Sequence, residues 1–112
     1  IIFMIDVIAF AKDGKYTGLK VSGHANFDEE GKDIVCAAVS VLTLNLANSI
    51  EHFCDDDFSV DSSDGFFHLI LQDRSEKSGL LLDSCILGLM DIGEEYSDFI
   101  NINFRFYYFF VH

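Results

Sequence analysis

Apolar residues occupy both parities of the opening segment, IIFMIDVIAF, which predicts a strand over residues 1–10 with both faces buried. Lys12-Asp13-Gly14-Lys15 follows, and Asp-Gly is a strong signal for a tight hairpin turn. Residues 16–22 then alternate, with Leu19 and Val21 on one side and Lys20 and Ser22 on the other. This predicts a second strand ending at Gly23-His24. Residues 25–32 are polar and contain glycine, and are expected to form a mobile loop. From Asp33 the period changes: Val35, Val39, Leu42, Leu46, Ile50 and Phe53 recur at helical spacing. They trace one stripe along a helix of about five turns. Asp33 suits the N-cap. Cys36 then falls at the third helical position, with Ser40 and Thr43 on its side.

An acidic turn, Asp55-Asp56-Asp57, leads to short strands over 58–61 and 66–72, separated by a second hairpin signal at Asp64-Gly65. A second helix is expected over 76–96, with Leu82, Cys85, Leu89, Ile92 and Tyr96 on its inner stripe. Ile100, Ile102, Phe104 and Phe106 then alternate with Asn101, Asn103, Arg105 and Tyr107, so a last strand closes the pattern. The order β-β-α-β-β-α-β predicts an α+β two-layer sandwich, two helices packed on a mixed or antiparallel sheet, in a single domain over 1–112.

Half of the 112 residues are apolar, enough to pack a core without metal or disulfide staples. Nineteen acids against seven Lys and Arg give a formal net charge of −12. Such a surface repels a phosphate backbone and attracts a basic partner, so no direct nucleic-acid binding is expected. No stretch reads as long and uncharged enough to span a bilayer, and the opening segment lacks the basic start and cleavage site of a signal peptide. The expected location is the cytoplasm. The three cysteines are widely spaced and form no CxxC pair, which argues for reduced thiols rather than disulfides or zinc. There is no phosphate-binding glycine motif. No metal and no cofactor is expected.

The candidate chemistry lies in residues 22–36, SGHANFDEEGKDIVC. A thiolate is a nucleophile, and the unpaired N–H groups of a helix start favour negative charge on a thiol placed there. The same groups can donate to a developing oxyanion. A free cysteine is more often a small buried apolar residue, and a loop histidine is more often solvent-facing. As a pair they say more. If the strand end at His24 neighbours the helix start, its imidazole can take the Cys36 proton and later protonate a leaving amine. Gly23 and Gly31 bracket the loop between them. Cys54 at the end of the first helix, Cys85 on the inner stripe, His52 near a helix C-terminus and His68 on a strand face are all better read as structural.

Gly23-His24-Ala25, followed by Gly31-Lys32-Asp33-Ile34-Val35-Cys36-Ala37-Ala38-Val39-Ser40, resembles the signature of the bacterial ribosomal-processing cysteine protease family, Prp (YsxB-like). The order of strands and helices fits that family along nearly the whole chain. The resemblance implies a small α+β protein, commonly a homodimer. The family removes an N-terminal extension from large-subunit ribosomal protein number twenty-seven during ribosome maturation. By motif position, Cys36 matches the nucleophile and His24 the general base. Asp33 matches a supporting aspartate. The loop containing Ala25, Asn26, Phe27 and Gly31 matches the segment that admits substrate. That substrate is apolar and aromatic near the cut and basic beyond it. The aromatic end of the chain, Phe106-Tyr107-Tyr108-Phe109-Phe110-Val111-His112, departs from the more polar close expected of the family. Two other classes compete. One is a non-catalytic acidic binding protein associated with the ribosome, in which Cys36 is structural. The other is a redox-sensing thiol protein, which needs a resolving cysteine near Cys36.

Overall fold

The computed structural model describes residues 4–23 and 32–107. The elements run β1 (Ile5–Lys12), β2 (Lys15–Ser22), α1 (Lys32–Phe53), β3 (Phe58–Ser63), β4 (Phe66–Leu71), α2 (Glu76–Glu95) and β5 (Ile100–Tyr107). This is the element order read from the hydrophobic pattern. The strands form one sheet in the order β3-β4-β2-β1-β5. All neighbours are antiparallel except β1 and β5, which run parallel. The architecture is therefore two helices on a five-stranded mixed sheet.

The two tight turns follow from their glycines. Asp13 (φ 52) and Gly14 (φ 82) both take the left-handed backbone that a type I′ hairpin requires. At Asp64-Gly65 only the glycine does, with φ 73. The remaining connections need length. β3 runs parallel to β2 with β4 between them, and β5 runs parallel to β4 with β2 and β1 between them. Parallel connections of that kind need crossovers, and α1 and α2 supply them.

The core lies between the sheet and the two helices. Val7, Ala9, Leu19 and Leu69 face Val35, Leu46, Ile50, Leu82, Ile86 and Leu89, all buried. Arg74 ties α2 back to the sheet. Its guanidinium donates to both carboxylate oxygens of Asp83 at 3.0 Å and to the Tyr16 carbonyl. Ser75 caps α2 by accepting from the Ser78 N–H at 3.2 Å, while its own hydroxyl donates to Asp56. That hydrogen bond holds the Asp56 carboxyl below the usual carboxylate range.

Several expectations are corrected. β1 is buried on one face only: Asp6 is exposed and Ile8 and Phe10 are half-buried, because the core residues of both helices meet the opposite face. α1 begins at Lys32, two residues ahead of the Ile34 start that a cap at Asp33 predicts. Asp33 therefore sits inside the first turn rather than capping it, and Cys36 is the fifth helical residue, not the third. Phe53, the expected end of the α1 stripe, is exposed. Ile34–Phe53 is long and apolar enough to cross a membrane by length and composition, contrary to the reading of the sequence. In the fold its Val35, Val39, Leu46 and Ile50 are instead part of the core.

Candidate active site

The chain leaves β2 through Gly23, which is held from two sides. Its φ is 97°, and a Cβ built on it would lie 2.7 Å from the Met4 carbonyl oxygen, closer than side-chain atoms come. On the other side its N–H donates to the Gly65 carbonyl at 3.0 Å, which extends the β2–β4 ladder by one pair. Glycine is thus required by both conformation and space. The next residue in sequence is His24. His24, Ala25, Asn26, Phe27 and Gly31 lie outside the described residues, as does the side chain of Asp33.

Cys36 is half-buried against the core. It opens into a recess of about 350 Å³. Three walls form that recess. Cys36, Ser40, Thr43 and Leu44 come from α1, as the helical period places them on one side. Ile5, Val21 and Gly23 come from the adjoining ends of β1 and β2. The third wall is the β3–β4 hairpin, from Ser62 through Asp64-Gly65 to Phe67. The lining is mixed: Ile5, Val21, Val39 and Phe67 are buried apolar residues, and Ser40, Ser62, Ser63 and Asp64 add hydroxyls and one carboxylate. Thr43 is buried, and its hydroxyl is engaged with the Val39 carbonyl at 3.0 Å and the Ser40 carbonyl at 3.2 Å.

The hairpin wall was not anticipated. Its turn signal was visible in the sequence, but its proximity to Cys36 depends on β4 pairing with β2, which no local pattern reports. Gly23, by contrast, is in the motif, and it borders the same recess as Cys36. The end of β2 and the first part of α1 therefore line one recess.

The remaining candidates lie elsewhere. Cys85 is buried on α2, and its thiol donates to the Leu42 carbonyl at 3.5 Å. Burial pushes it up to about 12. The Cys54 thiol is also raised, first by desolvation and then by the Asp56 carboxylate. Neither has the environment of an activated nucleophile. His52 makes an edge contact with Phe53, ring centroids 4.7 Å apart. His68 lies on the sheet face away from the helices, between Phe10 at 6.0 Å and Phe66 at 6.4 Å. Among the described residues no group of three or more His, Cys, Asp or Glu is placed to hold a metal ion.

A thiol in the first part of a helix, opening into a recess bordered by the strand end that precedes a histidine, is the arrangement of a cysteine protease. The family model described as Cysteine protease Prp matches residues 4–101, and the chain belongs to this family of ribosomal-processing cysteine proteases. It is 32% identical over 96 residues to the ribosomal processing cysteine protease Prp of Staphylococcus aureus, covering 83% of this chain and 91% of that one. The crystal structure of the S. aureus protease in complex with a substrate peptide superposes with a TM-score of 0.84 at 31% identity, covering 91% of this chain and all of the other. SMU.848 from Streptococcus mutans gives a TM-score of 0.79 at 30% identity, over 94% and 97% of the two chains.

Proposed function

We propose that this chain is a cytoplasmic, homodimeric cysteine endopeptidase that removes the N-terminal extension of large-subunit ribosomal protein number twenty-seven. Cys36 is the nucleophile and His24 the general base. Ala25, Asn26, Phe27 and Gly31 belong to the segment that meets the substrate, and Asp33 supports the pair from the first turn of α1. The observation that carries this reading is the shared recess: Cys36 and Gly23, the residue before His24, border one recess.

The steps follow from those groups. His24 takes the Cys36 proton, and the thiolate attacks the scissile carbonyl. The first-turn N–H groups of α1, which have no partner within the helix, are the donors for the oxyanion. The imidazolium protonates the leaving amine as the acyl-enzyme forms, and water then releases the thioester. Ile5, Val21, Val39 and Phe67 in the lining suit apolar residues beside the cut. The net charge of −12 draws in a basic mature sequence.

The test is mass spectrometry of the N-terminally extended ribosomal protein after incubation with wild type and with Cys36→Ala. One truncation, made by wild type alone, is expected. An intact substrate with folded wild type, bound equally by both proteins, would replace the protease with the non-catalytic binding protein.

A further inference from the structure

Resting on the protease reading above, we infer that the polypeptide substrate is held as an added β-strand along the free edge of β3, with a basic segment of it laid beside Asp61 and Asp64. Among the described residues β3 has a strand on one side only, β4. Sheet edges are usually blunted by lysine, proline or a bulge. β3 has none of these: it reads FSVDSS, and its register with β4 is unbroken from Phe58 opposite Leu71 to Ser63 opposite Phe66. Its last residues, Ser62 and Ser63, line the Cys36 recess together with Asp64. The edge therefore leads away from the recess for about 17 Å, room for about five extended residues. The helix-facing side of β3 is also open. Val60 and Ser62 share the side of buried Leu69 and Phe67, yet both are exposed, Val60 at 44%. An added strand would pair with the β3 backbone, cover Val60 and present alternate side chains to the two faces. Charge then selects the occupant. No lysine or arginine occurs between Lys32 and Arg74, against eight acids. Asp56 is engaged by Ser75 and sits near Lys77, but Asp61 lies exposed at mid-strand and Asp64 borders the recess. Such an edge favours a cationic chain. The other edge, β5, supplies no residue to the recess and carries Arg105.

The probe is a synthetic peptide spanning the processing site of the N-terminally extended ribosomal protein. Hydrogen exchange is followed on full-length Cys36→Ala with and without saturating peptide. Amides of β3 should slow by about tenfold or more, while those of β5 should not change. Backbone N-methylation is then walked along the peptide, outside the two residues that flank the scissile bond, and cleavage by wild type is measured. Every second position should raise KM about three- to tenfold. The positions between should be near neutral, since only alternate N–H groups of an added strand face its partner. Asp61→Lys should raise KM by a similar factor at an unmoved thermal midpoint and nearly unchanged kcat, and Asp61→Glu should keep the wild-type KM. A peptide that binds Cys36→Ala without slowing β3, or N-methyl effects that do not alternate, overturns the inference. So does Asp61→Lys with wild-type KM. A peptide left whole by folded wild type overturns instead the protease reading on which the inference stands.

Discussion

Two Asp-Gly hairpins close opposite ends of the same sheet, and they do different things. Asp13-Gly14 turns β1 into β2 at the end away from Cys36, where a Cβ added to Gly14 would meet nothing within 4 Å. Asp64-Gly65 turns β3 into β4 beside Cys36, and its carbonyl holds Gly23. The dipeptides are equivalent as folding signals. One reverses the chain and ties it to the end of β5, where the Asp13 N–H donates to the Tyr107 carbonyl at 3.1 Å, whereas the other is a wall of the candidate active site. A turn acquires a functional role from what the sheet order sets beside it, not from its own composition.

The largest expected effect separates the two ends by chemistry. Cys36→Ala should lower cleavage by at least about 10³-fold. The thermal midpoint should stay within a few degrees, since the thiol is only half-buried. Quantitative mass spectrometry of substrate and melting by circular dichroism check both parts.

Next comes thiol selectivity. Alkylation near neutral pH should modify Cys36 at least about a hundredfold faster than Cys85, because only the thiolate reacts and burial pushes Cys85 up to about 12. Peptide mapping after a timed pulse reads the ratio. Equal rates would break the distinction between the recess and the core.

A two-residue Gly-Ser insertion tests the hairpins directly. After Gly65 it should lower kcat about tenfold or more, while after Gly14 it should leave kcat unchanged, since only the first displaces groups beside the reacting ones. The reverse result would end the comparison as drawn.

Gly14→Ala should cost about 1 kcal/mol for forcing a side chain into left-handed backbone. It should lower the thermal midpoint by about 4 °C without changing cleavage.

The smallest effect is alkaline. The folded-state Cys85 value lies above the ordinary 9.0, at about 12. The contribution of the neutral thiol is therefore complete below pH 9 and is lost as pH rises towards 12. Thermal melts between pH 8.5 and pH 10.5 should fall less steeply for Cys85→Ala than for wild type (an interval chosen to span the ordinary thiol range).

The sequence by itself determined the elements and their order, because period and turn chemistry are local properties. Alternation marked β2 and β5, the spacing from Val35 to Ile50 marked α1, and Asp-Gly marked both turns. It also carried the thiol and histidine motif, since those residues lie within one short stretch. Only the tertiary structure decided which face of β1 is covered, since a run of apolar residues does not report on which side the crossovers pack. It moved the start of α1 to Lys32, where the local cap signal at Asp33 had pointed to Ile34, two residues later. It also decided that Gly65 meets Gly23. That contact depends on β4 pairing with β2 in one register, and such pairing between distant strands is set by burial of the whole sheet against two helices rather than by any segment alone.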